Sequence, residues 1–207
     1  MNTNIVLEPE VKIPFFVLLH QLGWDENELL YLKDILPKNS FILAIKGPRK
    51  WTPEREDGRG WFDILGCHLE NFSKEDDIEM CSDYIKTIID ETRQKYLLLD
   101  DPIFIGVSQG ATVALHSCIE NKIKCKGVVS LLGYYEFKLD SHQLNDTPIL
   151  MINGRTDFVI PYDWAEKSHL HLKTKNNNIT AIFVNSGHEM TNELINLSKI
   201  WIHNLLQ

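Results

Sequence analysis

The stretch IFIGVSQGATVAL, residues 103–115, changes character at its centre. Its first half is an apolar run typical of a strand buried on both faces. Its second half has apolar residues at helical spacing. Ser108 stands at the junction, between Gly106 and Gly110. Glycine permits sharp turns and close backbone approaches that a β-carbon prevents. The G-x-S-x-G pattern therefore predicts a tight strand-to-helix turn that projects the hydroxyl outward.

The rest of the chain alternates between short apolar runs and longer amphipathic segments. This alternation predicts an α/β fold, a mainly parallel twisted sheet with helices on both faces. The predicted strands are residues 13–19, 41–45, 102–107, 127–132, 148–152 and 179–184, with residues 4–7 as an antiparallel edge strand. The predicted helices are residues 26–36, 78–96, 109–121, 163–173 and 189–206.

Length, charge and cysteine usage limit the classes of protein to consider. At 207 residues, we expect one domain over residues 1–207 with no large lid domain. The net charge of −8 argues against a nucleic-acid partner, since phosphate binding needs a basic face. The sequence has no transmembrane segment and no signal-peptide pattern at its start. Its four cysteines form no C-x-x-C pair, so we predict a reduced, cytoplasmic protein.

Two further residues follow predicted strands and complete a catalytic set with Ser108. A serine hydroxyl needs a base to take its proton, and the base needs an orienting carboxylate. Asp157 comes shortly after the strand at 148–152, and His188 follows the strand at 179–184. Because the carboxyl ends of parallel strands share one edge of a sheet, we expect the three side chains to converge there. Their order along the chain, Ser, Asp, His, is the one this scaffold requires.

Each of the three residues also has an ordinary structural interpretation. Ser108 could be a helix N-cap, Asp157 a turn residue and His188 a helix-entry residue. Their joint occurrence in this order favours the catalytic interpretation. The rival base His116 lies eight positions along the same helix as Ser108, which separates the two residues by about 12 Å.

A tetrahedral oxyanion needs hydrogen-bond donors, each commonly worth about 10²–10³ in rate. The backbone N–H of Gln109, directly after the serine, is one candidate. The second is expected in the loop after the first strand, residues 20–25, where Leu22 is the best candidate and Gln21 its neighbour. That loop is also consistent with a plain strand-to-helix connection in which Asp25 caps the helix and Glu28 completes a capping box.

Five segments together resemble the small carboxylesterase/phospholipase branch of the α/β-hydrolase superfamily, which includes the acyl-protein thioesterases. They are LLHQLGWDENELL (18–30), GPRKWTPEREDGRGWFDI (47–64), GVSQGATVAL (106–115), INGRTDFVIP (152–161) and SGHEM (186–190). The resemblance implies an α/β-hydrolase fold. It also implies a triad of Ser108, Asp157 and His188, with oxyanion donors at Leu22 and Gln109.

Three positions depart from that family's pattern. Gln21 and Trp24 stand where glycine is usual, and Asn153 replaces a common histidine. A side chain at position 21 restricts the backbone, so we expect an oxyanion loop that is preset differently or partly closed. The site is predicted as an open groove bordered by aromatic residues of the irregular segment 46–63, for which local packing is the competing interpretation. The candidate substrate-binding residues are Gln21, Trp24, Trp61, Phe62 and Val159, with Trp51 as a further border residue.

The resemblance and the predicted triad imply hydrolysis of a carboxylic ester or thioester through an acyl-enzyme. The substrate would be a small or acylated molecule, and the chemistry needs no metal or organic cofactor. Two alternatives stay open from the sequence. One is a catalytically idle scaffold that binds a small molecule or a protein. The other is a different serine-triad reaction, for which no peptide-pocket signature is present.

Overall fold

The computed structural model of the chain describes residues 13–51, 56–65, 75–119, 123–135, 146–174 and 178–207. The strands are β1 (Phe15–Leu19), β2 (Phe41–Ile45), β3 (Arg49–Lys50), β4 (Arg59–Gly60), β5 (Ile103–Val107), β6 (Gly127–Leu131), β7 (Ile149–Gly154) and β8 (Ile179–Val184). Six of them form one parallel sheet in the order β2-β1-β5-β6-β7-β8, and β3 and β4 form a separate, short antiparallel pair.

Helices cover both faces of this sheet, as the sequence predicts. They are a 3₁₀ helix (Glu28–Ile35), α1 (Glu75–Tyr96), α2 (Gln109–Ile119), α3 (Tyr162–Lys173) and α4 (Asn192–Leu205). Successive side chains of a strand point to opposite faces. In β1, Phe15, Val17 and Leu19 pack in the core that contains α1 and α2, whereas Phe16 and Leu18 pack in the core under the 3₁₀ helix and α4.

The first helix differs from its prediction. Residues 28–35 form a 3₁₀ helix rather than an α-helix over 26–36. Its N-cap is Asn27, whose side chain makes no capping hydrogen bond. Asp25 Oδ1 accepts the Asn27 N–H at 2.8 Å just before the helix, and the Glu28 carboxylate accepts hydrogen bonds from Gln21. The helix ends before Pro37, where the preceding Leu36 is extended, as a residue before proline prefers. The predicted edge strand at 4–7 and the predicted end of α2 at 120–121 lie outside the described residues.

The strand order places a topological switch between β1 and β5. From β1 the chain passes through the 3₁₀ helix to β2 on one side, and from β5 it passes through α2 to β6 on the other. The loops after β1 and β5 therefore diverge, and a crevice at such a point is where open α/β sheets bind ligands. Among the described residues, no helix is both long and apolar enough to span a membrane.

Candidate active site

Ser108 occupies a strained turn directly between β5 and α2. Its φ is 52°, a left-handed conformation that is uncommon for a residue with a β-carbon. The Ser108 N–H donates to the carbonyl of Leu131 at 2.9 Å, and the Ser108 carbonyl accepts the N–H of Thr112 at 3.1 Å, which begins the helix. The backbone of Ser108 is thus held by the neighbouring strand and by its own helix, and its side chain is left for other contacts.

The two glycines around Ser108 are required by close backbone contacts. A β-carbon at Gly106 would lie 2.5 Å from the Gly110 carbonyl oxygen. One at Gly110 would lie 2.2 Å from the carbonyl oxygen of Leu19 and 2.6 Å from that of His20. Absence of a β-carbon therefore lets α2 start against β5 and also touch the end of β1. The turn at residues 106–110, called the elbow below, and the loop after β1 are packed together by this contact.

Asp157 and His188 come from adjacent strands whose following loops are bonded to each other. β7 and β8 pair in parallel, and beyond them the Thr156 N–H donates to the carbonyl of Ser186 at 3.1 Å. The Asp157 side chain is fully buried, and its Oδ1 accepts the backbone N–H groups of Val159 at 2.8 Å and Ile160 at 2.9 Å. These bonds fix the carboxylate and leave its second oxygen facing His188.

The structure brings the three predicted residues into one hydrogen-bonded chain. His188 Nδ1 lies 2.7 Å from Asp157 Oδ2, and His188 Nε2 lies 3.0 Å from Ser108 Oγ. The carboxylate can only accept, so the ring proton is assigned to Nδ1. Nε2 is then free to accept the serine proton. This buried network is consistent with a catalytic triad, in which the serine hydroxyl is hydrogen-bonded to the histidine base and the histidine is hydrogen-bonded to the carboxylate that orients it.

The loop after β1 is held by the β3–β4 pair. Gly23, with φ of 83°, donates its N–H to the carbonyl of Arg59 at 2.7 Å, and the Arg59 N–H donates to the carbonyl of Trp24 at 2.8 Å. A β-carbon on Gly60 would lie 2.7 Å from Leu22 Cδ1 and 3.4 Å from Gln109 Oε1. Side-chain atoms of Leu22 and Gln109 therefore both lie close to Gly60.

His20 fixes the start of this loop from within the core. Its Nε2 accepts the N–H of Gly47 at 2.9 Å, so its proton is on Nδ1, which donates to the Gln21 carbonyl at 2.7 Å. Burial lowers the pKa of His20, and the hydrogen bond to Gln21 opposes that effect. A neutral imidazole suits this arrangement, since a second ring proton would displace the Gly47 N–H.

The side chain of Gln109 has a structural role that the sequence analysis missed. Its Oε1 accepts the N–H of Trp61 at 3.0 Å and its Nε2 donates to the carbonyl of Phe62 at 2.9 Å. The Trp61 indole N–H donates to the His20 carbonyl at 2.8 Å. Burial raises the pKa of the Cys81 thiol to about 12, so the thiol stays protonated and donates to the Trp61 carbonyl. Trp61 thus joins the elbow to the loop after β1.

The candidate substrate-binding residues divide into buried and exposed groups. The side chains of Trp61 (0% exposed) and Phe62 are buried in the core, so they do not border an open groove; the competing packing interpretation describes them correctly. Trp24 is 43% exposed and Val159 54% exposed, while Gln21 and Trp51 are half-buried. Phe158, which the sequence analysis did not single out, is 96% exposed directly after Asp157.

The departures from the family pattern are accommodated locally. Gln21 is not among the described residues with a positive φ, so glycine is not needed there. Its backbone N–H and its carboxamide both donate to Glu28, at 3.0 and 2.5 Å. Asn153 is buried and donates to the carbonyl of Gly133 at 2.8 Å. The expected cost of a side chain at position 21 is therefore not observed in the backbone.

A serine–histidine–carboxylate chain at the carboxyl edge of a parallel sheet defines a serine hydrolase of the α/β type. The family model described as Phospholipase/Carboxylesterase matches residues 2–205, and the chain belongs to this family. Acyl-protein thioesterase 1 homolog 1 of Dictyostelium discoideum is 29% identical over 70% of the chain and 67% of that protein.

Two solved structures support the fold assignment. The Bacillus cereus carboxylesterase superimposes with a TM-score of 0.80 at 22% identity, over 93% of this chain and 89% of that one. SOBER1 of Arabidopsis thaliana gives a TM-score of 0.78 at 20% identity, over 94% and 99%. Each is similar to this chain in architecture. The expected α/β-hydrolase fold is therefore confirmed.

Proposed function

We propose that the protein hydrolyses carboxylic esters or thioesters of small or acylated molecules through a covalent acyl-enzyme. The observation that carries the proposal is the hydrogen-bonded chain from Ser108 Oγ through His188 to Asp157. The family implies ester substrates. Residues 1–207 would act as one hydrolase domain. A cytoplasmic location is supported by the cysteine pattern of the sequence, which contains no C-x-x-C pair.

In the proposed mechanism, His188 Nε2 takes the proton of Ser108 as Oγ attacks the carbonyl carbon. The imidazolium that forms is stabilised by the Asp157 carboxylate, which stays ionised. Collapse of the tetrahedral intermediate breaks the bond to the alcohol or thiol, and His188 returns the proton to that leaving group. Water then attacks the acyl-enzyme, again with His188 as base, and releases the acid.

The oxyanion would be held by the backbone N–H groups of Leu22 and Gln109. Support for this role comes from the position of Leu22 in the loop after β1 and from that of Gln109, directly after Ser108, as the first residue of α2. N–H groups in the first turn of a helix lack intrahelical partners and favour negative charge. Donors preset in this way need little reorganisation during the reaction.

The acyl group would lie against exposed apolar side chains near the triad. Trp24 extends from the loop that carries Leu22, and Val159 follows Asp157, so both are attached to parts of the site. Gln21 contributes through its position beside Leu22. Trp61 and Phe62 would support the site from beneath, because they are buried.

The proposal is tested with p-nitrophenyl esters and acyl thioesters of graded chain length. We expect hydrolysis by the wild-type protein and a loss of kcat on the order of 10⁶ in Ser108→Ala, with the melting temperature little changed. A fluorophosphonate probe should label the wild type and not the variant, because only an activated serine reacts quickly. A folded wild type that neither hydrolyses these substrates nor accepts the probe would identify an idle scaffold. Undiminished hydrolysis by Ser108→Ala would remove the serine from the mechanism.

A further inference from the structure

The carboxylate of Glu28 accepts two hydrogen bonds from Gln21. Glu28 Oε2 accepts the Gln21 backbone N–H at 3.0 Å, and Glu28 Oε1 accepts the Gln21 carboxamide N–H at 2.5 Å. Glu28 is the first residue of the 3₁₀ helix, so this contact spans the whole loop from β1. Hydrogen bonds to an ionised acceptor are roughly twice as strong as neutral ones, and two of them converge on one loop residue.

These two hydrogen bonds restrict the direction of the Leu22 N–H. The Gln21 carbonyl accepts from His20 Nδ1 at 2.7 Å and from the Trp24 N–H at 3.3 Å. In a planar trans peptide, that carbonyl and the N–H of Leu22 point in opposite directions. With the Gln21 N–H held by Glu28 and its carbonyl held by His20 and Trp24, both peptide planes of Gln21 are constrained. The Leu22 N–H is directed away from the carbonyl's partners.

The side chain of Gln21 supplies the second of the two hydrogen bonds to Glu28. The backbone there does not require glycine, since Gln21 is not among the described residues with a positive φ. A glycine would remove the carboxamide donor and keep only the backbone N–H of this pair of hydrogen bonds. The side chain adds a donor that reaches the second carboxylate oxygen, so the loop is held against rotation as well as displacement.

We propose that Glu28 is a positioning residue for ester hydrolysis, acting through Gln21 to hold the Leu22 N–H toward the oxyanion. The inference rests on the proposed function. Glu28 is not proposed to touch the substrate. Its effect should therefore fall on the transition state, where the oxyanion exists, and spare binding of the ground-state ester.

The test compares Glu28→Gln, Gln21→Ala and the double variant with Asp34→Asn as the matched control. Asp34 is an exposed acid of the same helix, so its variant removes one charge without touching the loop. A glutamine at position 28 keeps one oxygen to accept the Gln21 backbone N–H, but it can bond the Gln21 carboxamide only after that group rotates, and both hydrogen bonds lose the strength that the carboxylate charge gives them. We expect kcat for a p-nitrophenyl ester to fall about tenfold in Glu28→Gln, a fraction of the effect of losing one oxyanion donor, with KM within about twofold.

A second readout separates positioning from a general structural role. An alkyl trifluoromethyl ketone adds to Ser108 to give a tetrahedral oxyanion, whereas the product carboxylic acid does not. The inhibition constant of the ketone should rise by about the same factor as kcat falls, and that of the acid should stay unchanged. In the Gln21→Ala background, the effect of Glu28→Gln should be smaller, because one of the two bonds is already missing.

The outcomes are distinct. Equal kcat and ketone affinity in Glu28→Gln and Asp34→Asn would overturn the inference. So would a fall in kcat without weaker ketone binding, or fully additive effects in the double variant. If Glu28→Gln does not fold, Gln21→Ala must show the same coupled change in kcat and ketone affinity, and its absence counts against the role. A wild type that reacts with neither ester nor ketone would overturn the proposed function itself.

Discussion

The carboxamide oxygen of Gln109 accepts the backbone N–H of Trp61 at 3.0 Å, across 48 positions of sequence. The residue that follows Ser108 is thereby tied to the segment that also bonds His20 through the indole. One side chain thus links the elbow to the loop after β1. We expect this connection to help set the spacing of the two predicted oxyanion donors.

Replacing Gln109 by methionine should destabilise the protein and slow catalysis together. Methionine keeps much of the volume but leaves the Trp61 N–H and the Phe62 carbonyl without their partner, at about 1–3 kcal/mol for each buried group. We expect the free energy of unfolding in urea to fall by about 2–6 kcal/mol, with a reduced kcat. An unchanged urea midpoint would show that these bonds contribute little.

Asp157→Asn should retain the fold and lose activity on the order of 10⁴ in kcat. The asparagine oxygen can still accept the N–H groups of Val159 and Ile160, which turns its NH₂ group toward His188. The imidazole must then carry its proton on Nε2 and cannot accept the proton of Ser108. Asp163→Asn, in the first turn of α3, is the control for loss of a charge. Near wild-type kcat in Asp157→Asn would contradict the orienting role.

Gly110→Ala should be strongly destabilising. Its β-carbon would lie 2.2 Å and 2.6 Å from two backbone oxygens at the end of β1, which cannot move aside as a flexible side chain could. Overpacking commonly costs about 1–3 kcal/mol, and we expect at least the upper end. Gly187→Ala is the matched control, because its β-carbon would meet its nearest atom at 3.8 Å. Equal urea midpoints for the two variants would contradict the close contact.

His20 should make stability depend on pH. Burial lowers its pKa in the folded protein below the ordinary value of 6.5. Below pH 6.5 the unfolded chain therefore binds a proton more readily than the folded one, so this contribution to stability is complete above that pH and declines as pH falls toward the folded pKa. In His20→Asn, we expect a smaller loss of unfolding free energy between pH 7.5 and 5.5 than in wild type. Identical losses would show that His20 does not contribute.

Val159→Asp should reduce the preference for longer acyl chains. An exposed apolar contact to an acyl group is worth roughly 1–3 kcal/mol, and a carboxylate there would remove it. We expect the ratio of kcat/KM for an octanoyl ester to that for an acetyl ester to fall about tenfold. The exposed Leu170 of α3 provides the control variant, Leu170→Asp. An unaltered ratio in Val159→Asp would place the acyl chain elsewhere.

The sheet was predictable because its four inner strands, β1, β5, β6 and β7, are buried along their whole length. The outer strands Phe41–Ile45 and Ile179–Val184 are partly exposed, yet they also begin and end where the sequence predicts, since polar residues bound these mainly apolar runs. The meeting of Ser108, Asp157 and His188 was also predictable. Each follows its strand, and parallel strands end at one edge.

The supports of the site were not predictable, because they depend on contacts between distant segments. Nothing in GRGWFD, residues 58–63, indicates whether Trp61 faces solvent or the core. Burial against His20 and Gln109 decides it. Glu28 has the spacing of a capping-box residue, yet its carboxylate reaches back to Gln21. Local pattern could identify the donor and acceptor types but not which partner each would find.

The position of β8 has a consequence for the newly made chain. His188 follows the last strand to join the sheet in sequence order, and β8 pairs only with β7 within the described residues. Until that strand docks, His188 has no fixed position beside Ser108, and the serine hydroxyl lacks the base that lies 3.0 Å from it in the folded structure. Recovery of reactivity toward an acyl donor on refolding should therefore report that β8 has joined the sheet.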